Sequence, residues 1–411
     1  RYPLHPVGDR RDANYTYTLG SIGYSARLGS STLANKLYAD NTKLYFNEVT
    51  ENPDNSIKRN KEQTKQGLVL GWDSKWSWAP SEFQEVLLGL NYERNSATYL
   101  EEEWNPVPAP DHYIHFYNSY FSQHGEGPGR NVARTSNYAA YAQDEIRFLD
   151  KLRLTLGLRN DHFEGFGGET SPRIGVVYAP QESTTLKALW GRAFRPPTFR
   201  QLYVVRFDGL QGGDPHLKPE KAETMEMEVG QKLGDTTYAK LGYFHSKLTD
   251  TTLTIDNSTW FNLSVPRITQ GLELELRSEF QIDGPLFKTI SVFLNGTRLL
   301  NAFDDTPLGK VDIASVAPTL ANWGFTARSR NLTLFSAWNL VGRRNPGYVY
   351  NPLKNIIEYT YHLKVSDSFA GYKARDNKGG YVTQDLNLGW QGFSSLPLKL
   401  ELIVRNLWDK L

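Results

Sequence analysis

The chain contains no cysteine. A disulfide framework, a thiol nucleophile and a cysteine-ligated metal centre are therefore excluded. An excess of charge of one sign is also lacking: 46 Lys and Arg stand against 45 Asp and Glu, for a formal net charge of +1. Such balance does not suit binding to nucleic acid or another acidic polymer. Long hydrophobic runs are missing too. Hydrophobic residues make up 39% of the chain. No segment approaches the ~18 uninterrupted apolar residues that argue for a membrane-crossing helix. No composition break or linker divides the 411 residues. No signal peptide opens them, since Arg1 is followed at once by polar, Tyr-rich sequence. For an exported protein this implies a mature or truncated product. Phosphate-cradling glycine loops, zinc spacings and nucleophile elbows are absent as well. No catalytic residue, metal site or cofactor is therefore assigned.

What the chain does have is alternation. Residues 151–159 read Lys-Leu-Arg-Leu-Thr-Leu-Gly-Leu-Arg, which puts Leu152, Leu154, Leu156 and Leu158 on one side. Leu272, Leu274 and Leu276 oppose Glu273, Glu275 and Arg277. Met225, Met227 and Val229 oppose Glu226 and Glu228, and Leu398, Leu400, Leu402 and Val404 oppose Lys399, Glu401 and Arg405. A period of two means strands with two unlike faces. In a soluble sandwich the polar face is the outer one. A transmembrane barrel inverts this, with aliphatic residues facing lipid and polar ones facing a wet or plugged lumen. Only every second residue of such a barrel meets lipid, so a modest hydrophobic content does not exclude it. Aromatics at 13%, with ten Trp and 23 Tyr, suit the girdles at both membrane interfaces.

Connections decide between the two architectures. Short turns are expected at Leu28–Ser31, Trp78–Ser81, Leu149–Lys151, Ala179–Ser183, Leu233–Thr236, Ile282–Phe287, Ser329–Asn331 and Gly392–Pro397. Between them lie longer polar stretches at 47–62, 100–137, 163–171, 195–221, 250–266, 301–318 and 342–379. Short turns at one end and long loops at the other describe an all-β, antiparallel up-and-down transmembrane barrel. Roughly sixteen strands of about 10–15 residues are expected, in line with tilted strands crossing a bilayer. A propeller would show a blade signature every ~40–50 residues, and none recurs.

Residues 188–203 read ALWGRAFRPPTFRQLY, and residues 213–220 read GDPHLKPE. These resemble the paired box of TonB-dependent outer-membrane receptors, F-R-A-P-x-x-x-E-L-Y followed by G-N-P-x-L-K-P-E. Phe194, Arg195, Pro196 and Pro197 match the first half; Leu217, Lys218, Pro219 and Glu220 match the second. Pro196 replaces the usual Ala, Gln201 the usual Glu and Asp214 the usual Asn. Tyr141–Glu145 with Leu156–Arg159 resembles the strand pair before the box, and Asn406–Lys410 resembles the N-L-F-D-K turn before the last strand. The resemblance covers about residues 60–411. It implies a barrel of about 22 strands, closed by an N-terminal plug that contacts the TonB–ExbB–ExbD energy-coupling system. The sequence is accordingly expected to hold one incomplete barrel domain over residues 1–411, with the plug, the first strands and the final strand missing. The implied function is uptake of a scarce ligand across the bacterial outer membrane, a ferric siderophore or similar metal chelate being the commonest kind in the family. A plugless porin-like or structural barrel is the alternative.

Ligand contacts are expected from two loops. Residues 100–137 carry Trp104, His112, Tyr113, His115, Tyr117, Tyr120 and His124, whose rings suit planar or catecholate-like ligands. The second loop carries Arg206 and His216. Arg195, Arg200 and Arg206 place positive charge near the rim, where anionic ligands or lipopolysaccharide phosphates could be met. Arg195 and Glu220 are expected to form a lumen or rim ion pair that orders the loop. His112-x-x-His115 is assigned no metal, because on a strand its rings point to opposite faces. Met225-x-Met227 falls on the aliphatic side of its strand and is read as lipid contact.

Overall fold

A computed structural model of the chain describes residues 9–51, 57–104, 114–116, 132–148, 150–165, 167–203, 213–254, 260–313, 316–344, 348–351, 356–359, 379–393 and 396–408. Sixteen long strands form the wall. The first eight are β1 (Asp9–Leu28), β2 (Ser31–Glu51), β3 (Ile57–Ser81), β4 (Gln84–Trp104), β5 (Val132–Phe148), β6 (Leu152–Phe163), β7 (Gly167–Gln181) and β8 (Thr184–Arg195). The remaining eight are β9 (Glu220–Leu233), β10 (Thr237–Thr249), β11 (Arg267–Gln281), β12 (Thr289–Thr306), β13 (Thr319–Arg328), β14 (Leu332–Val341), β15 (Tyr381–Phe393) and β16 (Leu396–Val404). Each pairs antiparallel with the next, from β1 with β2 through β15 with β16. The eighteen-stranded sheet adds only the short strands Ile114–Phe116 on β4 and Gly309–Asp312 on β12. Two separate hairpins, Thr252–Thr254 with Trp260–Asn262 and Tyr348–Asn351 with Ile356–Tyr359, sit in the long connections. The expected strand number and the alternation of short and long connections are both observed.

Three details differ from expectation. Strands β1 to β4 run for 20, 21, 25 and 21 residues, well beyond the ~9–11 that a tilted strand needs to cross lipid. They pair through the polar stretch expected at 47–62, and the stretch expected at 163–171 shrinks to residues 164–166. Polar residues past the bilayer have water on both faces, so no alternation marks them as strand. Third, the hairpin expected at Trp78–Ser81 turns at residues 82–83, whereas that expected at Ala179–Ser183 turns within those bounds, at residues 182–183. Pro80 and Pro180 have no N–H to donate, so each sits at a register shift inside a strand and the ladder resumes after it. At the same rim, Asp150 (φ 53°) and Gly234 (φ 66°) adopt the left-handed turn conformation that the tight connections need.

The two faces behave as their composition requires. Leu156, Leu158, Met227 and Leu274 are 40%, 53%, 51% and 43% exposed, and no second sheet among the described residues covers them. The opposite face carries a ladder of charge. Lys187 donates to Glu228 at 2.8 Å; Lys240 reaches Glu228 at 3.3 Å and Glu275 at 3.2 Å; Glu275 also pairs with Arg277. The ladder crosses β8 to β11. Partly exposed pairs of this kind contribute about 0–1 kcal/mol each, so the ladder marks a wet surface and is not the source of stability. An uncovered leucine face opposite a wet charged face is the lipid and lumen arrangement of a membrane barrel.

Candidate functional site

The box sits where β8 and β9 end at the long-loop rim. Arg195, the last residue of β8, lies directly opposite Glu220, the first of β9, and its Nε donates to Glu220 Oε2 at 2.5 Å. That hydrogen bond, at the mouth of the barrel, raises the Arg195 pKa further above its usual value. The expected rim ion pair is therefore present. Pro196 and Pro197 follow, and the chain leaves the sheet because neither can donate to a ladder. A single helical turn, α1 (Phe199–Tyr203), comes next. The Thr198 amide donates to Gln201 Oε1 at 2.8 Å, and the Gln201 amide donates to Thr198 Oγ1 at 3.3 Å. This is a reciprocal capping box, which Gln fills as well as Glu; the departure at position 201 is chemically silent. Asp214 is a similar case. Its Oδ1 accepts from the His216 amide at 2.8 Å, a turn that Asn and Asp both support.

Each half buries one leucine, Leu202 in the first and Leu217 in the second, both 2% exposed. The Asp214 amide donates to the Gln201 carbonyl at 3.0 Å and joins the halves. A third segment, which carried no motif, completes the assembly. Glu220 Oε1 accepts from the Thr252 amide at 2.6 Å, and Asn262 Oδ1 accepts from the Lys218 amide at 2.8 Å. Leu263 and Val265 are buried against Leu253. From α1, the Arg200 guanidinium lies over the Trp260 ring at 6.0 Å. Behind this body, Arg267 holds Asp304 with two hydrogen bonds of 2.8 and 3.0 Å.

The other expected ligand residues are only partly placed. His216 lies at the rim with its side chain 93% exposed and its ring Nδ1 3.2 Å from Asp214 Oδ1. Trp104 ends β4 opposite Asn60 and Ile114, and His115 lies opposite Glu103, so both backbones belong to the wall's upper edge. The short strand holding His115 was not expected from the sequence. His112, Tyr113, Tyr117, Tyr120, His124 and Arg206 lie outside the described residues. Met225 and Met227 stand in β9 opposite His245 and Tyr243 of β10. Among the described residues, no group of three or more His, Asp or Glu could hold a metal ion.

Below the rim the lumen face is polar and linked. Arg159 grips Asp161 with two hydrogen bonds of 2.7 Å, and Asn137 donates to the same carboxylate at 3.0 Å. Tyr141 donates to Asp73 at 3.4 Å, and Tyr38 donates to Glu93. These side chains come from β2 to β6. Period-two patterning places each on the polar face, but only register brings them together.

Sheet, faces and rim assembly define a multi-pass outer-membrane β-barrel wall with a built mouth at its long-loop end. The family model described as "TonB dependent receptor-like, beta-barrel" matches residues 2–407, and the chain belongs to that family. It is similar to the iron-regulated outer membrane virulence protein of Vibrio cholerae serotype O1, at 30% identity over 125 residues that cover 29% of this chain and 19% of that protein. The ferric enterobactin receptor of Pseudomonas aeruginosa is 29% identical over 180 residues, covering 39% of this chain and 24% of that one. Among solved structures, the copper transporter OprC shares the fold with a TM-score of 0.70 at 17% identity, covering 97% of this chain and 60% of that chain. The unliganded ferric citrate transporter FecA gives 0.66 at 15% identity, covering 98% and 58%. The matches thus span less than two thirds of the length of each of these relatives.

Proposed function

We propose that the protein takes up a scarce ligand across the outer membrane, a ferric siderophore or a similar metal chelate, driven by the TonB–ExbB–ExbD system. Family membership over residues 2–407 carries the reading. Its direction toward iron is supported by the words "iron-regulated" and "ferric enterobactin" in the names of two relatives. The family consists of receptors and transporters; that this chain catalyses no reaction is part of the proposal. Coupling would run through a plug domain encoded outside these 411 residues. Further strands are proposed to close the wall, since β1 and β16 each pair on one edge only among the described residues, and open sheet edges are not sustained in lipid. The long-loop rim would face outward. There Trp104, His112, Tyr113, His115, Tyr117, Tyr120, His124, Arg206 and His216 would meet the ligand, and rim arginines the lipopolysaccharide phosphates.

Deleting the gene in the producing bacterium and following radio-iron from ferric enterobactin and ferric citrate tests this. Uptake of at least one chelate should be lost with the gene and abolished by a proton uncoupler. Flux that persists under the uncoupler would point to the porin-like alternative.

A further inference from the structure

We infer that Asn262 is a positioning residue that locks the loop between β10 and β11 onto the box, making one rigid lip of the mouth whose ligand contacts depend on that lock. The second half of this inference rests on the proposed uptake.

The Asn262 carboxamide joins segments far apart in sequence. Its Nδ2 donates to the Lys218 carbonyl at 3.0 Å and to the Asp250 carbonyl at 2.7 Å, with a longer contact to Thr252 Oγ1 at 3.4 Å. Its Oδ1 accepts from the Lys218 amide at 2.8 Å. Lys218 thus has both backbone groups taken by one side chain, as a neighbouring peptide in a sheet would take them. Asp lacks the donor for half of this ring, and Gln places its amide one methylene too far out. Independent ties converge on the same body. Glu220 holds Arg195 with one oxygen and the Thr252 amide with the other. The Leu263 amide donates to the Thr251 carbonyl at 2.7 Å, and the Asp305 amide donates to the Pro266 carbonyl at 2.9 Å, which fixes the loop's far end to β12. The result is that Trp260 is held against Arg200, a ring and guanidinium pair suited to contact with an anionic chelate.

The test uses the full-length protein in outer membranes, with spin labels at Ser264→Cys on the lip and Asp235→Cys on the opposite turn, both exposed positions. The parent should give one narrow distance distribution. Asn262→Ala should broaden it, with Asn262→Asp in between, while folded barrel mobility on gels stays unchanged. Half-saturation for ferric enterobactin or ferric citrate uptake should rise at least about fivefold in Asn262→Ala, the loss expected of an anchor. A distribution as narrow in Asn262→Ala as in the parent would overturn the lock and leave apolar packing of Leu253, Leu263 and Val265 as what holds the loop. A broad distribution with unchanged half-saturation for both chelates would overturn the positioning role while the uptake function stands. Absence of saturable uptake in the parent would overturn the uptake proposal and the contact role together, and the distances would still decide the lock. If Asn262→Ala fails to assemble, Asn262→Asp carries the same comparison.

Discussion

At the scale of single residues, position on the sheet decides what a substitution does. Leu156 and Glu275 are both part of regular strands. Leu156 is uncovered on the leucine face, so Leu156→Arg puts a guanidinium in mid-bilayer lipid at about 2–4 kcal/mol. Assembly should be impaired, seen as loss of the heat-modifiable folded band on a gel. Glu275→Gln acts on the wet face. Lys240 keeps Glu228 as its partner at 3.3 Å, so the expected cost is under about 1 kcal/mol and the folded band should persist. Equal tolerance of both changes would contradict the face assignment. Asn262 shows the other side of residue-scale reading. It stands in a stretch with no motif, and its role depends on a partner 44 positions earlier.

At the scale of elements, short local rules account for the box. Two prolines end β8, a Thr and a Gln cap one helical turn, and an Asp side chain sets the next turn. Thr198→Ala should cost about 1 kcal/mol of local stability. The Leu202 amide, which bonds the Thr198 carbonyl at 3.1 Å, should then exchange faster with solvent. Gln201→Glu should leave that exchange rate unchanged, because either side chain closes the capping box. Faster exchange in Gln201→Glu would mean that the amide nitrogen of Gln201 has a role the capping geometry does not use. The turn at Asn406 follows the same logic at the other end of the sheet. Its amide bonds Asp385 Oδ1 at 3.0 Å, and Trp408 Nε1 bonds Gln384 Oε1 at 2.7 Å, which pins the residues after β16 to β15.

For the whole molecule, the arrangement of connections sets the topology. The long connections leave one rim, together with the short turn at residues 164–166, and the other tight turns leave the opposite rim. With the long rim outward, a thiol placed at His216 should react with a membrane-impermeant maleimide on intact cells, and one at Asp235 only after permeabilisation. The reverse pattern would invert the wall and move every proposed ligand contact to the periplasmic side. The absence of cysteine from this sequence keeps the labelling specific.

Local chemistry was enough to determine the barrel class, the near-count of strands and all but one of the eight tight turns, because each is written in nearest neighbours as a period of two or a turn; the box was legible through its resemblance to a family motif. The Arg195–Glu220 pair was readable in the same way, as the two residues at which the chain leaves and re-enters the sheet. The extension of β1 to β4 beyond the bilayer was not readable, since their outer residues are polar on both faces and are held as strand by hydrogen bonds to a neighbour. Tertiary structure alone decided that residues 250–266 belong to the box, that Asn262 substitutes for a peptide beside Lys218, and that Asp161 gathers Arg159 and Asn137. Arg159 and Asp161 share a face two residues apart, but the contacts of Asn137 and Asn262 join residues whose separation along the chain is unrelated to any period. Register sets them, and register is fixed only when the whole sheet is paired.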